Sequence, residues 1–206
     1  MLVTAAHEGN LPAIKELIKR GHLKPKSPNL FFKTHPLFAA IRADEPEIAL
    51  ELLSAGIDFT WMDHGLVTAL HVASEVELDD VIIKLLELGA NPNARDDDIR
   101  SPLLWAAWAG RDEIVDLLIE RGAHSGLGNT RSPSVITEAI RGGNLDLARR
   151  LITRYDLSST AIVKSLQYMP IAWNGGISGR TFALNLGIDL DNDNYLFDAH
   201  AFGGEK

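Results

Sequence analysis

The sequence predicts an all-α solenoid of stacked helix–turn–helix units. Three observations carry this: five apolar segments recur in one register, four of them close on glycine, and a second short helical segment precedes each.

The recurring segments run 14–21, 48–56, 81–89, 114–122 and 147–155. Their closing residues, Gly21, Gly56, Gly89, Gly122 and Tyr155, stand at intervals of 35, 33, 33 and 33, and Gly187 extends the series by 32. Within each segment apolar residues fall three and four apart, as on an amphipathic helix with one buried stripe. A glycine after the last turn suits a left-handed helix end, which costs other residues energy. Tyr155 therefore predicts a different ending for the fifth unit.

Ahead of these segments, Ser101-Pro102 supplies an N-cap and a first-turn proline. Thr68-Ala69-Leu70-His71 and His35-Pro36-Leu37-Phe38 occupy the equivalent places. Short breaks such as Ala109-Gly110-Arg111-Asp112 separate the two helices, and turn-rich links such as Asn91-Pro92-Asn93 join one unit to the next. Ala39, Ala40, Ala73, Ala106 and Ala107 are small where paired helices should approach closely. One unit cannot shelter its apolar stripe alone, so stacked neighbours must bury it for each other. Units are expected at about 1–21, 22–56, 57–89, 90–122, 123–155 and 156–187, with 188–206 a partial unit or cap, in a single domain over 1–206. Pro170 should kink or end the first helix of the sixth unit.

Composition narrows the function classes. With 46% hydrophobic and 23% charged residues the chain fits an ordered protein. Twenty Lys and Arg against 28 Asp and Glu give a net charge of −8, which argues against nucleic-acid binding through bulk charge. The absence of cysteine removes disulfides, thiolate metal sites and cysteine nucleophiles. No stretch approaches the roughly 18 apolar residues of a membrane span, and residues 1–8 lack the regions of a signal peptide. A soluble cytoplasmic protein, with the nucleus also open, is expected, without membrane contact or cofactor. The first unit begins inside its own first helix, and the chain trails off in Gly203-Gly204-Glu205-Lys206; both features fit a segment of a longer protein.

Thr68-Ala69-Leu70-His71-Val72-Ala73 resembles the Thr-Pro-Leu-His-x-Ala signature of ankyrin repeats, and Ser101 to Ala123 is similar to the family pattern throughout. The resemblance covers about 2–155 well and 156–206 loosely. It implies a unit of one turn plus two helices, and a protein or peptide partner held on a concave face by loop tips and first helices. Mapping by register places Phe31, Phe32 and Thr34 of the second unit on that face, with His64, Val67 and Glu75 of the third. The fourth contributes Asp97, Asp98, Arg100 and Trp108, and the fifth Arg131 and Arg141. Aromatic and arginine anchors of this kind dominate binding hot spots. The resemblance also implies a structural hydrogen bond for His71. Departures from the pattern are Phe38, Leu104 and Thr137 in the histidine slot, Ile99 in place of the hairpin glycine of the fourth unit, and its displacement to Gly65 in the third. Less regular turns are expected there.

Several of these residues have a second reading. Phe31 and Phe32 could equally cover the first unit, and Trp61 could be an exposed anchor or a buried plug. Charge is segregated: 11–33 holds six basic residues and one acidic, 75–98 eight acidic and two basic, and 131–154 five arginines and two acidic. An acidic middle flanked by basic ends could steer a basic partner onto Asp96, Asp97 and Asp98, although a solvated face has the same composition.

Catalytic signals are weak. Seven histidines are present, yet no His-Glu-x-x-His, phosphate loop or nucleophile elbow occurs, and Gly175-Gly176-Ile177-Ser178-Gly179 reads as a turn. The alternative to a binding scaffold is a small enzyme or small-molecule-binding protein. Its pocket would lie at the loop tips, with Asp63, His64, Asp96, Asp97, Asp98 and His35 for acid–base work, or at the irregular C-terminal unit around Pro170 and Trp173.

Overall fold

The computed structural model describes residues 1–23, 35–126 and 134–155. Phe31, Phe32, Thr34 and Arg131 lie outside the described residues, as do Pro170, Trp173, the 175–179 glycine cluster and the sixth and partial seventh units.

Among the described residues the chain forms ten helices in five pairs: α1 (Leu2–His7) and α2 (Leu11–Lys19), α3 (Pro36–Arg42) and α4 (Pro46–Ser54), α5 (Ala69–Val76) and α6 (Asp79–Glu87), α7 (Pro102–Ala109) and α8 (Asp112–Glu120), α9 (Val135–Arg141) and α10 (Leu145–Arg154). First helices stack on one another in the order α1, α3, α5, α7, α9, and the second helices α2, α4 and α6 stack in a parallel row. The first-helix row packs more closely, because Ala40, Ala73, Ala106 and Ala139, at one register position in successive units, let the backbones approach.

The core repeats with the same period. Leu37, Leu70, Leu103 and Ile136 are buried on the first helices; Ile48, Val81, Ile114 and Leu147, with Leu52, Leu85, Leu118 and Leu151, are buried on the second. These ladders form one continuous cluster that runs through every described pair. The apolar stripe of each unit thus meets its equivalent in the next, the stacking expected of modules too small to hold a core alone.

Helix ends follow two left-handed series. Gly21, Gly56, Gly89 and Gly122 close the second helices at φ 75°, 81°, 90° and 89°, while Tyr155 ends the fifth at φ −97°, as its side chain predicts. Between paired helices the left-handed residues are Gly9, Asp44, Glu77, Gly110 and Gly143, a series in which two positions are not glycine. Ser101 stands at the N-cap of α7 with extended backbone, but its hydroxyl makes no capping bond; Ser134, one unit later, accepts from the Thr137 N–H.

The hairpins of the third and fourth units are more regular than the sequence suggests. Asp63 Oδ1 accepts from the N–H groups of Gly65 (2.9 Å) and Val67 (3.0 Å), and Asp96 Oδ1 accepts from Asp98 (3.0 Å) and Arg100 (2.8 Å). In both, the residue three after the aspartate is left-handed: Leu66 at φ 56° and Ile99 at φ 64°. The glycine at 65 is not the strained residue, since Leu66 takes that position. The aspartate clamp holds the turn where glycine is absent. Ile99 is β-branched and half exposed, so its backbone is costly while its side chain gains little burial. Ile99→Gly is therefore expected to stabilise the chain by about 0.5–1 kcal/mol after the extra freedom of glycine in the unfolded chain is counted. A higher urea midpoint at unchanged slope is the measurement; an unchanged or lower midpoint contradicts the strain argument.

Candidate functional site

The last turns of the first helices bring one register position from each unit into a row: Arg42, Glu75, Trp108 and Arg141, at the same place in four successive units. A groove of about 710 Å³ opens along this row, lined by Arg42, Glu75 and Trp108 together with Val72, Val76, Ala109, Arg111 and Gly142. A smaller cavity of about 160 Å³ lies beside it between Glu75, Arg100, Leu104, Trp105 and Trp108. Trp108, 40% exposed, and Glu75 belong to both.

The floor of the groove is made by contacts between units. Carbonyl groups at the end of a helix have no partner within it. Here the next unit supplies one: Arg111 Nε donates to the Glu75 carbonyl (3.0 Å), and Asn144 Nδ2 donates to the Ala107 and Trp108 carbonyls (3.1 and 2.8 Å). Close approach is possible because Gly142 has no Cβ; one built there would overlap the Trp108 carbonyl oxygen. Trp108 therefore stands on a fixed backbone.

Arginines around the row are matched by carboxylates. Arg42 faces Asp63 (3.7 Å), Arg100 bridges Asp96 and Asp98 (3.1 and 2.8 Å), Arg111 pairs with Glu77 (2.8 Å), and Arg141 with Glu138 (2.7 Å). Glu138 is fully buried, and burial raises its carboxyl above the usual range against the opposing pull of Arg141. Arg141 thus serves the interior as well as the face. Further out, Arg150 pairs with Asp112 and Asp116, and Arg154 with Asp116. The basic fifth unit is accordingly neutralised in part by the acidic fourth, instead of forming a separate basic end.

His71 ties two units together. Its Nδ1 accepts from the Thr68 N–H (3.1 Å), which leaves the proton on Nε2 to donate to the Arg100 carbonyl (3.1 Å). This is the structural bond that the resemblance implies, and burial lowers the ring's pKa. His35, in the slot of Thr68, behaves differently. It is buried, stacks on Trp61 (5.4 Å between centroids, 17°), and its pKa is lowered to about 4 by burial, with Asp58 pulling the other way. Trp61 also meets Phe38 edge-on at 4.9 Å, so it plugs the loop and is only partly exposed.

Several site expectations need correction. Val67 is buried beneath its hairpin, because the Asp63 clamp turns it inward, and offers nothing to a partner. Asp96 is buried too: Oδ2 accepts from Arg100 Nε (3.1 Å) and Trp105 Nε1 (2.8 Å), so the triple-aspartate surface reduces to Asp97 and Asp98. Asp98 is further engaged by Arg100. His64, Asp97 and Asp98 are exposed at the tips, and Glu75, Arg100 and Arg141 are half-buried. The acid–base alternative loses its central members, since Asp63, Asp96 and His35 are internal or committed to the hairpins. Among the described residues no group of three or more His, Asp or Glu could hold a metal ion, and no helix is long and apolar enough to cross a membrane.

Sequence reasoning overlooked the exposed apolar tips Met62 and Leu66, the Asp97 N–H donating to the Gly65 carbonyl between adjacent hairpins (2.9 Å), and the capping role of Arg111 and Asn144. The recurrence of aspartate at 63 and 96 was the available signal for the hairpins.

Comparison with known proteins follows the same units. The family model for ankyrin repeats in three copies matches residues 2–96 and 64–129. The glycerophosphocholine phosphodiesterase gde1 of Schizosaccharomyces pombe is 34% identical over 116 residues, covering 56% of this chain and 10% of that protein. The ankyrin repeat and KH domain-containing protein mask-1 of Caenorhabditis elegans is 29% identical over 189 residues, 80% of this chain and 7% of that protein. The transient receptor potential cation channel subfamily A member 1 of Drosophila melanogaster is 28% identical over 145 residues, 69% of this chain and 12% of that protein. The chain thus spans only about a tenth of the length of these relatives. With its fixed register, paired helices closing on left-handed glycines, and the His71 bond between units, the chain belongs to the ankyrin-repeat family.

Proposed function

We propose that this chain is a non-enzymatic scaffold that captures a protein or peptide on the concave face formed by its hairpin tips and first helices. The observation that carries the reading is the row Arg42, Glu75, Trp108 and Arg141 above a groove of about 710 Å³, with an exposed indole on rigidly capped backbone. A large aromatic held in place loses little freedom on binding, which is why such residues act as anchors. Among relatives, an enzyme and a channel share the repeats with mask-1, and a scaffold role is the common denominator that their differing names support.

The test begins with a random peptide library selected on the immobilised chain. Peptides that use this face should bind at least tenfold more weakly to the Trp108→Ala, Asp97→Asn double variant, with the helical circular dichroism at the assay temperature retained. Peptides that bind wild type and variant alike reject the face.

A further inference from the structure

Charge around the first-helix row does not cancel completely. Each of Arg42, Arg100, Arg111 and Arg141 has a carboxylate partner, whereas the Glu75 carboxylate has no ion pair or hydrogen bond among the described residues. Glu75 is half-buried beside Trp108, on the wall of the 160 Å³ cavity that Leu104 and Trp105 complete. A carboxylate in such a place carries a negative charge that no cation of the described residues balances. A cation entering the cavity would balance that charge and lie beside the Trp108 indole, a ring that attracts positive charge. Arg100 is no obstacle: its guanidinium is held over Trp105 at 5.4 Å and is neutralised by Asp96 and Asp98.

We infer that the cavity between Glu75 and Trp108 is a subsite for a lysine side chain of the bound partner. The lining suits lysine, whose side chain is four methylenes ending in one ammonium nitrogen. Leu104 and Trp105 offer the apolar wall that the methylene stem needs, and Glu75 the counter-charge. An arginine is larger by two heavy atoms, so the arginine amide is the control for size. This inference rests on the concave-face reading and sharpens it to one kind of side chain.

The experiment uses N-acetyl-lysine N-methylamide as the probe, titrated into the ¹⁵N-labelled chain and followed on the indole N–H signals of its four tryptophans, with Trp108→Phe to assign the relevant one. A saturable shift of the Trp108 signal is expected, weakened at least fivefold in Glu75→Gln and absent with N-acetyl-norleucine N-methylamide. Absence of saturation with the lysine amide, an equal response in Glu75→Gln, or an equally strong response to the arginine amide overturns the proposal. The peptide selection separates the two readings: Trp108-dependent peptides that tolerate lysine→norleucine exchange sink the subsite and leave the face standing. Peptides indifferent to Trp108 sink both.

Discussion

Acidification from pH 7 to pH 4 is expected to remove about 3 kcal/mol of folding stability through His35 alone. In the unfolded chain the imidazole titrates near 6.5, and in the folded chain its pKa is lowered to about 4 because Trp61 and Phe38 cover it. Between those values the unfolded state binds the proton and the folded state does not, so stability falls as pH drops through this window and is fully present above it. The gap of about 2.5 pKa units at about 1.4 kcal/mol each sets the size, a large share of a typical total. Urea denaturation at closely spaced pH values measures it, and His35→Phe, which keeps an aromatic ring on Trp61, should flatten most of the slope. A residual slope of the same sign belongs to His71, whose pKa is also lowered by burial, and toward pH 4 to Asp58, whose carboxyl is lowered by its Thr60 hydrogen bonds. An equally steep profile in the variant contradicts the assignment to His35.

Arg141→Met is expected to cost about 3 kcal/mol at pH 7, because it strands the Glu138 carboxylate in the interior. Glu138 has no exposed surface, Oε1 accepts from Arg141 at 2.7 Å, and Oε2 has no hydrogen-bond partner among the described residues. Burial already raises the Glu138 pKa, and loss of the guanidinium would raise it further. A raised carboxyl contributes stability below its unfolded pKa and loses it as pH rises, so the deficit of the variant should shrink on acidification, opposite to the His35 effect. Adding Glu138→Leu to Arg141→Met should recover most of the loss, since an apolar pair leaves no charge buried. A single variant as stable as wild type, or a double variant no better than the single, rules out this account.

The face and its groove were only half legible in the residues. Trp108, Glu75, Asp97 and His64 fall where register places them, because position within a repeated unit follows from counting. Val67 and Asp96 do not. Their fate depends on a hairpin in which an aspartate side chain gathers backbone N–H groups, and Trp105 and Arg100 converge on the same carboxylate. Nothing in the local pattern distinguishes Asp96 from Asp97, adjacent residues of identical chemistry. Arg141 likewise looks like an exposed arginine until Glu138, three residues earlier, is seen to be fully enclosed.

By itself the sequence determined the solenoid: the helices, their pairing, the glycine ends and the buried ladders repeat with one period, and burial within a unit is a local consequence of helical periodicity. Only the tertiary structure decided which polar groups remain available to a partner. Those choices hang on hydrogen bonds that join one unit to the next, such as His71 to Arg100, Arg111 to Glu75 and Arg150 to Asp112. A carboxylate consumed by the neighbouring unit and one left free look the same until the units are stacked.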